Sequence, residues 1–158
     1  VAWPLGASLR FVGERTLAAA DFFTLPKVNP AKENALADGE ILAWIEIPAA
    51  KAGTRSMYHK ELDREAWTHA IVSTAVVLEM DKDVCRSARI VMGGVAPIPW
   101  RVPEAEKLLV GQRVTPELAV KIGETALAGA TPLPKNRYKV PLAKEIVRRT
   151  VAAVAAKA

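Results

Sequence analysis

The segment ARIVMGGVAPIPWR, residues 88–101, followed at once by VPEAEKLL, constrains the fold more than any other part of this 158-residue chain. Residues 88–92 carry the β-branched and apolar side chains of a strand, and Gly93 and Gly94 interrupt that run. Pro97 and Pro99 then remove backbone donors and fix φ, so neither a helix nor a central strand continues through them. Pro103 and Glu104 read as the first turn of a helix, where a missing N–H costs nothing and a carboxylate meets the positive end of the helix dipole. A strand must therefore pass sharply into a helix here, with a bulge or a tight backbone approach at the glycine pair.

The flanking sequence supplies the partners of that junction. Residues 56–62, 68–80 and 84–92 read as strands, joined around residues 63–65 and 81–83, which predicts an antiparallel three-stranded meander. Three helices are expected. The first covers 103–110 and ends at Gly111; the second covers 116–128, capped by Thr115 with Pro116 at its first position; the third runs from Pro141 to the C-terminus. Leu118, Ile122, Ala126 and Ala130 recur every fourth position, as do Leu142, Ile146, Thr150 and Val154, and both sets predict buried helix faces. A sheet followed by a run of helices is an α+β pattern, with the helices gathered on one side of the sheet. Upstream, short strands are expected at 8–12, 15–17 and 40–48, with a turn at Gly13 and Glu14, the segment 20–26, and a loop through Pro30 and Gly39. The small-residue connector 49–54 is the expected domain boundary.

Composition narrows the functional classes. The longest apolar windows, 70–78 and 151–156, are far shorter than the roughly 20 residues that span a bilayer, so no membrane helix is expected. The chain opens without an initiator methionine or a secretory signal and reads as the middle of a longer polypeptide. Its net charge of +5 is interleaved along the sequence. The densest basic group, Lys135, Arg137, Lys139, Lys144, Arg148 and Arg149, reads as a solvated helix face or a contact between subunits rather than a nucleic-acid surface. Cys85 is alone, which excludes an internal disulfide, a thiolate zinc site and the four thiolates of an iron–sulfur cluster. His59 and His69, at the ends of neighbouring expected strands, lack the carboxylate and cysteine neighbours of a metal set. The pairs Asp81 with Asp83 and Glu104 with Glu106 are accounted for by turn chemistry and a helix start. No serine stands in a nucleophile elbow, and the glycine pair lacks the spacing of a phosphate cradle.

Five motifs in order nevertheless resemble one family. Residues 88–106 resemble the "ARIALGGVAP-P-R-xEAE" signature of the C-terminal domain in FAD-binding medium subunits of the molybdenum hydroxylases, which comprise xanthine, aldehyde and carbon monoxide dehydrogenases. The FF of residues 22–23 with GEIL (39–42) and IEIP (45–48) is similar to the end of the family's FAD-binding domain. Tyr58, Lys60, Arg64 and AIVS (70–73) resemble the opening of its C-terminal domain; NRYKVPLA (136–143) with VRR (147–149) resembles its final helix. The nearest subgroup is the bacterial aldehyde or xanthine dehydrogenase flavin subunits.

The resemblance implies an α+β fold, an antiparallel three-stranded meander packed with a three-helix bundle. The tail of an α/β FAD-binding domain (1–50) would precede the C-terminal domain of the medium subunit (51–158). It also implies that Leu42 and Lys60 approach FAD, Leu42 as an apolar wall and Lys60 as a nearby cation; no role carries over to Trp67. The glycine-rich segments that grip the FAD pyrophosphate in the family have no counterpart in this sequence. The implied partners are a molybdenum-binding large subunit and an iron–sulfur small subunit, which hold the molybdenum cofactor and the clusters. Nucleic acid and membrane are not among them. The implied enzyme is an oxidoreductase whose flavin passes electrons to an external acceptor, the fragment alone being inactive; its compartment is the cytoplasm, with the periplasm left open. A noncatalytic subunit-docking module without flavin is the alternative.

Overall fold

The structure, a computed structural model, describes residues 8–11 by their backbone and residues 15–156 in full. The turn expected at Gly13 and Glu14 lies outside the described residues. Two antiparallel sheets follow one another along the chain. The first is built from β1 (Ser8–Phe11), β2 (Thr16–Ala18) and β3 (Leu42–Glu46), in the order β2-β1-β3. The 20–26 segment is not a strand: a 3-10 turn spans Ala19–Asp21, and Phe23 makes one bridge to Asn34. Ala19 is buried there, with Leu17, Phe22, Leu36 and Leu42 packed around it.

The second sheet has the order β4-β5-β6-β7: β4 (Thr54–Glu61), β5 (Val72–Asp81), β6 (Val84–Gly93) and β7 (Trp100–Arg101). The expected meander thus gains a fourth strand two residues long. Pro97, Pro99 and Pro103 flank it and limit the pairing to Met92 with Trp100 and Val91 with Arg101. β5 begins at Val72 rather than Thr68, because residues 62–71 form a loop whose return is fixed by the Ile71 N–H donating to the Glu61 carbonyl at 2.9 Å.

One face of this sheet carries three helices, α1 (Pro103–Leu109), α2 (Pro116–Ala126) and α3 (Lys139–Ala156). α1 packs on β6 and α2, while α3 packs on β4, β5 and α2. Thr115 caps α2 by accepting the Leu118 N–H at 3.2 Å. α3 starts before Pro141, whose missing N–H falls in the first turn and breaks no helical bond. Ile146, Thr150 and Val154 are fully buried along α3, with Leu142 packed beside them. Ala130 departs from its expected stripe, since α2 ends at Ala126 and leaves Ala130 exposed in the following loop. A Cβ on Gly123 would lie 2.6 Å from the Lys144 carbonyl oxygen, so a side chain there would push apart the α2 and α3 backbones.

Side chains from both layers form one apolar cluster that includes Val76, Leu78, Ile90, Met92, Leu109, Ile122 and Val151. A bulge between Glu79 and Met80 shifts the register, so that Leu78 faces Ala88 while Met80 faces Cys85. That one-residue slip turns Cys85 into the core next to Ala88, against simple strand alternation. Burial pushes its thiol up to about 11, which makes it a packing residue rather than a nucleophile at neutral pH.

Candidate functional site

Lys60 lies near the end of β4, an edge strand, and its side chain is exposed. Its cross-strand partner is Ser73 on β5, and the partner of Ser73 is Gly93 on β6. Directly opposed residues share a face of an antiparallel sheet, so lysine, serine and glycine form one row across three strands. The row descends in side-chain size from a cation to bare backbone. A Cβ added to Gly93 would come 2.6 Å from the Ser73 Oγ, which shows how little room the row leaves for anything larger. Lys60 Nζ donates to the Thr68 carbonyl at 3.4 Å, a long bond that tethers the ammonium beside the 62–71 loop.

That loop exposes Trp67 by 95% on a backbone with φ 57°, a left-handed conformation costly for a large side chain. The Arg64 Nη2 donates to the Trp67 carbonyl at 2.7 Å and holds the turn. His69 belongs to this loop, not to a strand end. His59 lies on β4 beside Glu61, with Nε2 and Oε2 3.4 Å apart; both alternate with Lys60 along the strand and so occupy the opposite face. Among the described residues, no group of three or more His, Cys, Asp or Glu side chains could hold a metal ion.

Leu42 opens β3 in the first sheet. It is partly buried against the Ala19 cluster, and the following Trp44 and Ile45 are both about half exposed. The turn leading into β3 is set by Glu40, which accepts the Arg15 Nε at 2.7 Å, the Arg15 Nη2 at 2.5 Å and the Ala37 N–H at 2.9 Å. The guanidinium, then the Ala37 amide, hold the Glu40 carboxyl below the usual carboxylate range. Sequence inspection gave Glu40 no role; only the fold reveals that it positions the strand start. Leu42 and Lys60 thus stand on separate sheets, each with its own set of partners.

The strand-to-helix junction fixes the far end of the Lys60 row. Glu106, 5% exposed on α1, accepts the Ile90 N–H from β6 at 3.0 Å and binds the Arg101 guanidinium from β7 through contacts of 2.6–3.1 Å. One carboxylate therefore ties β6, β7 and α1 together, which the helix-start explanation of Glu106 does not capture. At the end of β6, Gly94 has φ 74°, and a Cβ there would lie 2.8 Å from the Ile71 carbonyl oxygen. The glycine pair is a close approach between the end of β6 and the entry to β5.

Residues 57–154 match the family model described as the CO dehydrogenase flavoprotein C-terminal domain. The aldehyde oxidoreductase FAD-binding subunit PaoB of Escherichia coli is 34% identical over 144 residues, covering 91% of this chain and 41% of that protein. The carbon monoxide dehydrogenase medium chain of Afipia carboxidovorans is 32% identical, covering 98% of this chain and 54% of that one. Reconstituted CO dehydrogenase from Oligotropha carboxidovorans superposes with a TM-score of 0.86 at 31% identity, over 99% of this chain and 55% of the solved one. The chain spans about half the length of the curated relatives it matches. A sheet carrying three helices on one face, joined through the Gly94 and Glu106 corner and matched in sequence from 57 to 154, belongs to the CO dehydrogenase flavoprotein C-terminal domain family.

Proposed function

We propose that this chain acts as the C-terminal portion of the FAD-binding medium subunit of a molybdenum hydroxylase. Residues 1–50 would end the FAD-binding domain, and residues 51–158 would form the C-terminal domain that closes one side of the flavin pocket. Family membership over residues 57–154 carries this reading. Two features fit a flavin at this place. The exposed Lys60 offers a cation on an edge strand, beside the close-packed pair of Ser73 and Gly93, where it could meet the polar edge of a planar ring. Leu42 offers a partly buried aliphatic surface at the start of β3.

FAD, when bound, supplies two-electron redox chemistry, and the protein orients and tunes it. Leu42 would exclude water from one side of the ring, and the Lys60 ammonium would favour the more negative redox state. A large subunit would hold the molybdenum cofactor and a small subunit the iron–sulfur clusters, and the flavin beside this chain would link them to an external acceptor. No helix of the described residues is long and apolar enough to cross a membrane.

A unit charge about 4 Å away in an effective dielectric near 20 contributes roughly 4 kcal/mol before desolvation, an upper bound for the exposed Lys60. Since about 1.4 kcal/mol corresponds to roughly 30 mV for a two-electron couple, Lys60→Met should lower the flavin potential of the full-length holoenzyme by tens of millivolts. Spectroelectrochemical titration of the two proteins measures this. An unchanged potential would remove Lys60 from the site.

A further inference from the structure

The basic group at residues 135–149 divides into two kinds of cation. On α3, Arg148 and Arg149 bind Glu145, and Lys144 binds Glu124. Lys135, Arg137 and Lys139, on the loop before α3 and at its first turn, have no ion-pair partner among the described residues; the Lys139 Nζ donates only to the Gly94 carbonyl at 3.2 Å. Lys139 lines a cleft of about 310 Å3 between the end of β6 and the α2–α3 connection, and Lys135 and Arg137 are the chain neighbours of Asn136, which also lines it. Its lining is mainly apolar, from Met92, Val95, Trp100 and Leu127, and it includes Asn136, whose buried Oδ1 has no hydrogen-bond partner. Leu133 and Tyr138 are exposed on the same loop.

From this arrangement we infer that the cleft is a docking site for an acidic segment of another subunit of the enzyme, anchored by an apolar side chain. The inference rests on the functional reading above. Charge selects the occupant: three uncompensated cations and the positive end of α3 disfavour a basic or neutral partner and attract carboxylates. The cations and the exposed Leu133 and Tyr138 extend along the loop beyond the cleft, a footprint longer than that of a small ligand. An apolar side chain of that segment fills the cleft, and its neighbouring carboxylates meet Lys135 and Arg137 at the rim.

The test uses the holoenzyme reconstituted from purified full-length flavin subunit and its purified partner subunits. The pair Lys135→Glu and Arg137→Glu should weaken association at least tenfold and flatten its dependence on salt, leaving flavin content and thermal midpoint unchanged. Lys121→Glu, the same type of change on the exposed side of α2, should leave association as it was. A photo-crosslinking residue at Ala130, which lines the cleft, should capture a partner-subunit peptide containing Asp or Glu. Unchanged affinity in the reversed pair, equal loss in the Lys121 variant, or capture of a segment without carboxylates or of a second copy of this chain overturns the inference. A wild-type subunit that carries no flavin and binds no partner overturns the functional reading, and this inference with it. One that assembles while ignoring the charge at the cleft overturns the inference alone.

Discussion

Replacing Glu106 by alanine removes the carboxylate that joins β6, β7 and α1. The Ile90 N–H loses its acceptor in a buried setting, a loss of about 1–3 kcal/mol. The contact with Arg101 contributes less, because that side chain is 43% exposed and water takes over most of its hydrogen bonding; about 0.5–1 kcal/mol is expected. Deleting the carboxylate also removes its desolvation cost, which offsets part of the sum, so Glu106→Ala should destabilise the chain by about 2 kcal/mol. Arg101→Ala strands a buried carboxylate with the Ile90 N–H as its remaining described partner and should cost about as much. The double variant should then cost less than the two singles together, by about 1 kcal/mol or more, because once the acid is gone the guanidinium has nothing left to neutralise. Urea unfolding followed by far-ultraviolet circular dichroism measures all three. Additive effects, or a Glu106→Ala value within about 0.5 kcal/mol of the parent, would refute the role given to this carboxylate.

Two further outcomes follow from the same structure. Gly94→Ala puts a Cβ into a left-handed backbone and 2.8 Å from the Ile71 oxygen, so it should cost about 2 kcal/mol, whereas Gly129→Ala, which meets nothing within 4 Å, should stay within about 0.5 kcal/mol in the same unfolding assay. Arg148 and then Arg149 hold the Glu145 carboxyl at about 2, below its usual 4.5. A depressed carboxylate contributes stability above its unfolded value and loses it as the pH falls from 4.5 towards 2. Glu145→Gln should therefore flatten the drop in thermal midpoint between about pH 6 and about pH 3, by a small amount because the pair faces water; an unaltered drop would show that the pair contributes nothing.

Elements defined by local chemistry were legible in the chain. Thr115 with Pro116 marked a helix start, the prolines around Trp100 marked an interruption, and the fourfold spacing of Ile146, Thr150 and Val154 marked a buried face. What escaped depends on which distant residues meet. The sequence showed Cys85 only as a lone thiol at the start of an expected strand, yet a slip of one residue between β5 and β6 turns it inward, and such slips leave no mark in composition. Glu106 looked like an ordinary acid in a first helical turn, because its burial is created by a strand 16 residues upstream. The motif supplied Lys60 and Leu42 one at a time; Ser73 and Gly93 join Lys60 only through the pairing of three strands.

The two longest strands, β5 and β6, are connected by the two residues Lys82 and Asp83, with Lys82 held at φ 54°. Neighbours in sequence can therefore zip together early, on the microsecond scale of hairpin closure, while α3 is still missing. During synthesis the β5 side of this ribbon would leave the ribosome with Val76 and Leu78 uncovered, and it would stay adhesive until the last helix arrives. Premature termination before α3 would accordingly yield not an inert stub but a sticky one, a species for chaperones to hold.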